Sequence, residues 1–249
     1  MLGRASAKVE QEFGETLERV IRLRAQLRAD PDVGPRWLAI KTFQSQRFEA
    51  TYADLLTSAR YGEPCRFFLE ELYGAKDFER RDSEVKRVLP KLAKMLPLRA
   101  LETLLLAFQL DEMSERFDSD LARIITVPID PQQYARAYPR VASMEGRQLQ
   151  IDTMERIGRA LDRLARVPML SSLLTVMKGP AEAWGFGQLH HFLRNGFSAF
   201  AGMRGADEFL ATIRRRESII NQRLFARDSD PFRAIEGGTR MNGESRARG

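Results

Sequence analysis

The chain carries two histidines, His190 and His191, adjacent in GFGQLHHFLRNGF. On a helix, Phe186, His190, Leu193 and Phe197 fall on one face at spacings of four, three and four, whereas His191 lines up with Arg194, Asn195 and Ser198. His190 is therefore expected to be partly buried and His191 exposed. A neutral imidazole walled by Phe186, Phe197, Phe200 and Met203 could be an axial haem ligand, or sit in a pocket for another hydrophobic ligand. The plainer expectation for His190 is a core imidazole satisfied by one hydrogen bond.

Carboxylates concentrate in FFLEELYGAKDFERRDSEVKRVLP, residues 67–90. Glu70, Glu71, Asp77 and Asp82 could hold a hard cation such as Mg²⁺. Nothing aims them at one point, and Lys76, Arg80 and Arg81 stand ready to neutralise them, so no metal site is assigned. The stretch reads instead as two helices joined at Gly74, with Cys65, Phe68, Leu69 and Leu72 on the inner face of the first and Asp77 or Asp82 capping the second. Ferritin-like di-iron sites need Glu-x-x-His, and the residues three before the histidines are Gly187 and Gln188. No serine sits in a G-x-S-x-G elbow, WGFG lacks the spacing and preceding strand of a dinucleotide loop, and a lysine-led phosphate loop is absent. No catalytic residue and no cofactor are assigned.

Two further features concern charge. In the last helix, Phe209, Ile213, Ile220 and Leu224 form a stripe whose missing position falls at Arg216 or Glu217, so an Arg-Glu pair inside the bundle is expected, or else a polar pocket for a small anion. Lys86, Arg87, Lys91, Lys94 and Arg99 make the best basic surface, but without aromatics interleaved on that face it lacks a stacking platform for single-stranded nucleic acid. An acidic partner protein explains it equally well.

These residues belong to a chain of 249 residues with 43% hydrophobic and 30% charged side chains, too apolar for a disordered protein and long enough for one continuous core. Forty Lys and Arg against 34 Asp and Glu leave a charge of +6, with a pI near 9.7. That excess is interleaved with acids, as in ERVIRLRAQLRAD and RRRESIINQR, which argues for solvated helix faces over a phosphate-binding stripe. Cys65 is the single cysteine, which fits a reducing compartment, and the N-terminus lacks the apolar core of a signal peptide. The apolar runs LETLLLAFQL and VPMLSSLLTVM are too short to span a bilayer. The expectation is a cytoplasmic protein with no membrane partner.

Helical periodicity positions these groups. A first helix at about 7–29 puts Phe13, Leu17, Val20 or Ile21, Arg24 and Leu27 or Arg28 on one stripe; a second, 36–60, buries Leu38, Phe43, Phe48, Tyr52, Leu55 and Leu56 and is stopped by Gly62. Pro64 opens a short third helix to 73. The next buries Val85, Val88 or Leu89, Leu92 and Met95 or Leu96, with Pro90 between Lys86 and Lys94 on its solvent side. Residues 98–126 form one long helix or two broken near Phe117, and PIDPQQYARAYPR is a connection with one helical turn. RQLQIDTMERIGRALDRLARV is an amphipathic helix with Ile151, Met154, Ile157, Leu161 and Leu164 inside. A short helix opened by Pro168 is closed by KGP, and helices at 181–203 and 206–226 follow. The expected fold is all-α, one compact bundle of roughly eight or nine helices over 1–227, with 228–249 a mobile tail.

The runs FFLEELYGAKDFERRDSEVKRVLPKLAKMLP, RFEATYADLLTSARYG and HHFLRNGFSAFAGMRGADEFLATIRRRE resemble a family of bacterial helical proteins classed as a domain of unknown function. The likeness extends from about Leu27 to Phe225. It implies an all-helical bacterial protein and carries over no activity and no functional position. With no reactive constellation in the sequence, the expected role is binding another macromolecule, as an adaptor or regulatory module whose partner is a protein. A second copy of the chain is one partner the sequence permits.

Overall fold

The computed structural model describes residues 2–69 and 79–235. These hold twelve α-helices and no strand: α1 (Leu2–Ala29), α2 (Val33–Thr51), α3 (Ala53–Leu56), α4 (Gly62–Phe67), α5 (Glu79–Met95), α6 (Leu98–Ile124), α7 (Pro131–Val141), α8 (Met144–Ala165), α9 (Pro168–Val176), α10 (Lys178–Ala183), α11 (Gly187–Gly202) and α12 (Asp207–Phe225). The protein is all-α. The 27-residue α6 is the spine, against which α1, α2, α7 and α8 pack.

Local chemistry sets the element ends. Asp30 Oδ1 accepts from the backbone N–H groups of Asp32 and Val33, each at 2.9 Å, and so turns the chain from α1 into α2. A Cβ on Gly34 would sit 2.7 Å from the Leu27 carbonyl oxygen, so the two helices meet over a bare backbone. Asp130 caps α7 by accepting from Gln133 N–H at 2.8 Å, with Pro131 in the first turn. Ser143 caps α8 by accepting from Gly146 N–H at 3.0 Å.

Apolar side chains gather in three clusters. One joins Phe13 and Leu17 of α1 to Val88, Leu101, Phe108 and Phe186. The second joins Trp37 and Ile40 to Phe117, Leu121, Tyr134 and Leu224, and the third joins Tyr52, Cys65 and Phe68 to Phe200, Phe209 and Ile213. In α5, Val85, Val88 and Leu89 are buried while Lys86, Pro90 and Lys94 are exposed, so the amide hydrogen bond that Pro90 lacks falls on the solvent side.

Several expectations are corrected. More elements are present than eight or nine, because the segments read at 36–60 and 181–203 divide and one predicted connection is itself a helix. The helix read at 36–60 breaks at Tyr52 (φ −117°, ψ 22°) and resumes as α3; Leu38, expected inside, is 48% exposed. Gly62 begins α4, and Lys178, Gly179 and Pro180 open α10 where they were expected only to close α9. Trp184 and Gly185, the latter at φ +70°, separate α10 from α11, which starts at Gly187. The connection around Tyr134 is a three-turn helix, α7, long enough to bury Tyr134 and Tyr138. Asp82 lies inside α5, buried against Arg24. Glu70, Glu71, Leu72, Gly74, Lys76 and Asp77 lie outside the described residues.

Of the segment expected as a tail, residues 228–235 are described. Phe232 packs 6.0 Å from the Phe43 ring and 6.1 Å from that of Tyr134, and Asp228 accepts from Arg233 through both oxygens at 2.6 Å.

Candidate functional site

Four of the five acids that DEMSERFDSD gives α6, Asp111, Glu112, Glu115 and Asp118, have spacings that keep them on one side of the helix. Cations from the surrounding helices meet this row. Arg19 of α1 reaches Glu112 at 2.8 Å and 3.1 Å, and Arg116 returns to the same carboxylate at 2.6 Å. Arg24, one α1 turn further on, is 2% exposed. Its Nε donates to Glu115 at 2.9 Å, its Nη2 to Asp111 at 2.7 and 2.9 Å, and its Nη1 to Asp82 of α5. One guanidinium thereby ties α1 to α5 and α6.

Lys41 of α2 continues the row, donating to Glu115 at 2.9 Å and Asp118 at 3.2 Å. Trp37 Nε1–H donates to the other Glu115 oxygen at 2.9 Å, and Gln44 donates to Asp118 at 2.9 Å. At the far end, Arg147 of α8 donates to the Tyr138 hydroxyl at 2.8 Å and to Gln150, with its guanidinium 3.8 Å from the Phe117 ring centre. Tyr138 in turn donates to Asn221 of α12 at 3.1 Å.

Burial and charge compete at each acid. Burial pushes the Glu115 carboxyl up, but Lys41 and Arg24 outweigh it and hold Glu115 below its ordinary 4.5. Asp118 goes the other way. Its burial outweighs Lys41 and the Gln44 hydrogen bond, the Glu115 charge adds to the rise, and its carboxyl sits above the ordinary 3.8. Arg24 holds its proton more tightly than a free guanidinium, because Asp111, Glu115 and Asp82 overcome the opposing effect of burial. Groups so fully engaged by one another are neither free ligands nor poised bases. Among the described residues no group of three His, Cys, Asp or Glu side chains is arranged to hold a metal ion.

The second polar locus joins α12 to α2 and α3. Arg216 and Glu217 do not pair with each other. Arg216 occupies the missing position of the apolar stripe, 5% exposed, and bonds Asp54 at 2.7 and 2.6 Å and the Thr51 carbonyl at 2.9 Å. That carbonyl lies at the α2 break, which is why the guanidinium reaches it. Glu217, the next residue, accepts from Arg47 and from the Tyr52 hydroxyl at 2.7 Å.

His190 is 7% exposed and its Nε2 lies 2.7 Å from the Leu174 carbonyl, so that nitrogen carries the proton and donates; His191 is exposed. The haem residues are not brought together: Phe186 joins the Phe13 cluster, Phe200 the Phe209 cluster, and Phe197 is half-buried. The basic line also divides. Lys86 turns to Glu18 of α1 at 3.0 Å, Arg87 donates to the Gly185 carbonyl, and Lys91 lies 4.5 Å over the Trp184 ring, an aromatic that comes from another element. Lys94 and Arg99 are exposed.

Two grooves open among the described residues. One, of about 670 Å³ between α8 and α12, is lined by Met144, Gln148, Leu149, Asp152, Arg214 and Ser218, among others. Met144 and Leu149 are 40% and 54% exposed at its edge. The other, about 460 Å³, lies between α1 and α5 beside Gly14, Glu18, Lys86 and Pro90. The sequence reading missed the α6 acids, Lys41, Arg147 and both grooves. Only Arg24, a cation on an apolar stripe, gave a signal.

These features define an all-helical protein organised around a buried row of ion pairs. The chain belongs to a domain family of unknown function (DUF8198), whose profile matches residues 23–231. Comparison with curated proteins and with solved structures finds no match to either.

Proposed function

We propose that the protein is a non-catalytic interaction module, an adaptor or regulator, whose partner is another protein and whose setting is the bacterial cytoplasm. The observation that carries this reading is the α8–α12 groove, where Met144 and Leu149 stay exposed beside the hydrogen-bonding groups of Gln148, Asp152, Arg214 and Ser218. Apolar side chains held in water beside a polar rim are the composition of a protein-binding patch. The buried ionisable groups support the same reading, since Arg24, Lys41 and Glu115 hold one another in place.

A photo-crosslinking residue at position 149, compared in cells with one at the exposed Arg123, tests the proposal. One discrete protein adduct specific to position 149 is expected. Equal labelling from both positions, or a small-molecule turnover that disappears on changing Lys41 while the fold persists, overturns it.

A further inference from the structure

The segment from Thr175 to Gly185 stands out from the bundle. Val176 is 72% exposed and Trp184 51%; Thr175, Lys178, Gly179, Glu182, Ala183 and Gly185 are exposed as well. The segment is nevertheless anchored. Ala181 is fully buried, Phe186 is 6% exposed, and Met177 packs against their cluster. Two large apolar side chains are thus held in water by an ordered backbone, with Trp184 N–H bonded to the Pro180 carbonyl at 2.9 Å.

The face of α5 beside this segment is basic. Arg87, Lys91 and Lys94 are spaced by four and three, so they share one line of the helix, and all three are exposed. Arg87 reaches the Gly185 carbonyl and Lys91 lies over the Trp184 ring, which ties the basic line to the apolar projection. Lys178 adds a fourth cation and Glu182 the one acid of the segment.

We infer that this segment, with the exposed Trp184 and Val176 and the basic line Arg87, Lys91 and Lys94 that meets it at Gly185 and Trp184, lies on an anionic lipid bilayer. Charge and shape both favour that occupant. Indole prefers the headgroup boundary, where its ring is in the apolar layer and its N–H stays wet, and lysines beside it meet lipid phosphates. A single-stranded nucleic acid would need a bare ring face to stack a base, and Lys91 already covers one. Neither groove described above includes Trp184 or Val176. A projecting apolar tip needs a surface that deforms around it.

The contact is peripheral: no helix among the described residues is long and apolar enough to cross a membrane.

Co-sedimentation of the full chain with vesicles of phosphatidylcholine alone, and with about a third phosphatidylglycerol, tests this inference. Trp37, 3% exposed, gives a constant background to Trp184 emission, because these are the two tryptophans of the chain. Pelleting with the anionic vesicles only, with a blue shift of emission, is expected. Lys91→Glu with Lys94→Glu is expected to lower partitioning by about tenfold or more, since each cation near an anionic surface contributes about a fivefold factor. Trp184→Ser is expected to abolish the blue shift, with unchanged circular dichroism showing that the fold persists. Vesicles that leave the protein in the supernatant overturn the inference, as does pelleting that the double charge reversal does not weaken. Binding of a single-stranded oligonucleotide through the same lysines, without vesicle binding, assigns the face to nucleic acid instead.

Discussion

Arg24 of α1 and Glu115 of α6, 91 residues apart in the chain, are joined at 2.9 Å with their side chains 3% and 1% exposed. A charge taken that far from water is tolerable only when it is fully met, and here it is met from several sides. Arg24 also holds Asp82 and Asp111, while Glu115 also accepts from Lys41 and Trp37. The result is register. A one-turn slip of α1 along α6 would strand these charges, whereas the apolar stripe alone would tolerate such a slip more cheaply.

Removing one member should therefore cost more than the pair is worth. Arg24→Met takes from Asp82 and Glu115, each with a side chain 1% exposed, the cation they share. A loss of about 3–5 kcal/mol is expected by urea unfolding. Arg159→Ala, at a side chain 42% exposed in its pairs with Glu155 and Asp207, should change stability by less than about 1 kcal/mol. Equal effects from the two variants would refute the role given to Arg24.

The pH dependence has two opposed parts. Glu115 and Glu112 are held below their ordinary 4.5 despite burial, Glu115 chiefly by Lys41 and Arg24 and Glu112 chiefly by its bonds to Arg19 and Arg116. Each binds its proton more weakly folded than unfolded, so its contribution is present above 4.5 and is lost as pH falls through the lower folded value. Asp118, raised above 3.8 by burial, binds its proton more tightly when folded, so its ionisation costs stability at neutral pH and that cost disappears on acidification. Urea midpoints should fall below pH 4.5, and more steeply in Asp118→Asn, which lacks the compensating group. Parallel profiles for the two proteins would show that Asp118 does not titrate as inferred.

Much of this architecture was legible in the sequence, and the reason it was legible also explains the omissions. Hydrophobic period showed α8 and the stripe Phe209, Ile213, Ile220, Leu224, all four of which are buried. It also placed Pro90 on the solvent side. Period is blind to a charged side chain that faces inward, because DEMSERFDSD reads as a solvated run whether or not cations wait opposite it. The partners of Glu115 come from α1 and α2, 74 to 91 residues away, and no local pattern encodes that meeting. Arg24 was visible as an oddity on an apolar stripe. Lys41 and Arg147 were not, and the grooves exist only once two helices are set side by side.

The α1–α2 turn supplies a test of backbone packing. Alanine ordinarily improves a helix over glycine by up to about 1 kcal/mol. At Gly34 the new methyl would lie 2.7 Å from the Leu27 carbonyl oxygen, a backbone atom that cannot rotate away. Gly34→Ala should therefore lower stability by about 1–3 kcal/mol despite its helix preference. A melting temperature equal to or above that of the parent protein would mean that α1 and α2 adjust at little cost.

Arg216 and Glu217, adjacent in α12, should respond in opposite ways. Arg216 is bonded to Asp54, whose side chain is 53% exposed and can return to water, and its own Nε is buried without a partner. Arg216→Met keeps the apolar part of the side chain and removes that orphan donor, so a change within about 1 kcal/mol is expected. Glu217 is the carboxylate that meets Arg47, with side chains 12% and 14% exposed, and it also accepts from the Tyr52 hydroxyl. Glu217→Ala takes the carboxylate from an enclosed guanidinium and leaves the Tyr52 hydroxyl to its 3.4 Å bond to the Ile213 carbonyl, and a loss of about 2–4 kcal/mol is expected. Urea unfolding of both single variants, with Arg47→Met added to complete a cycle on Glu217, separates the pair energy from the cost of an orphaned partner. If Arg216→Met proved the more damaging of the two, the stripe position would be held by its ion pair rather than by packing, and the roles given to these neighbours would be reversed.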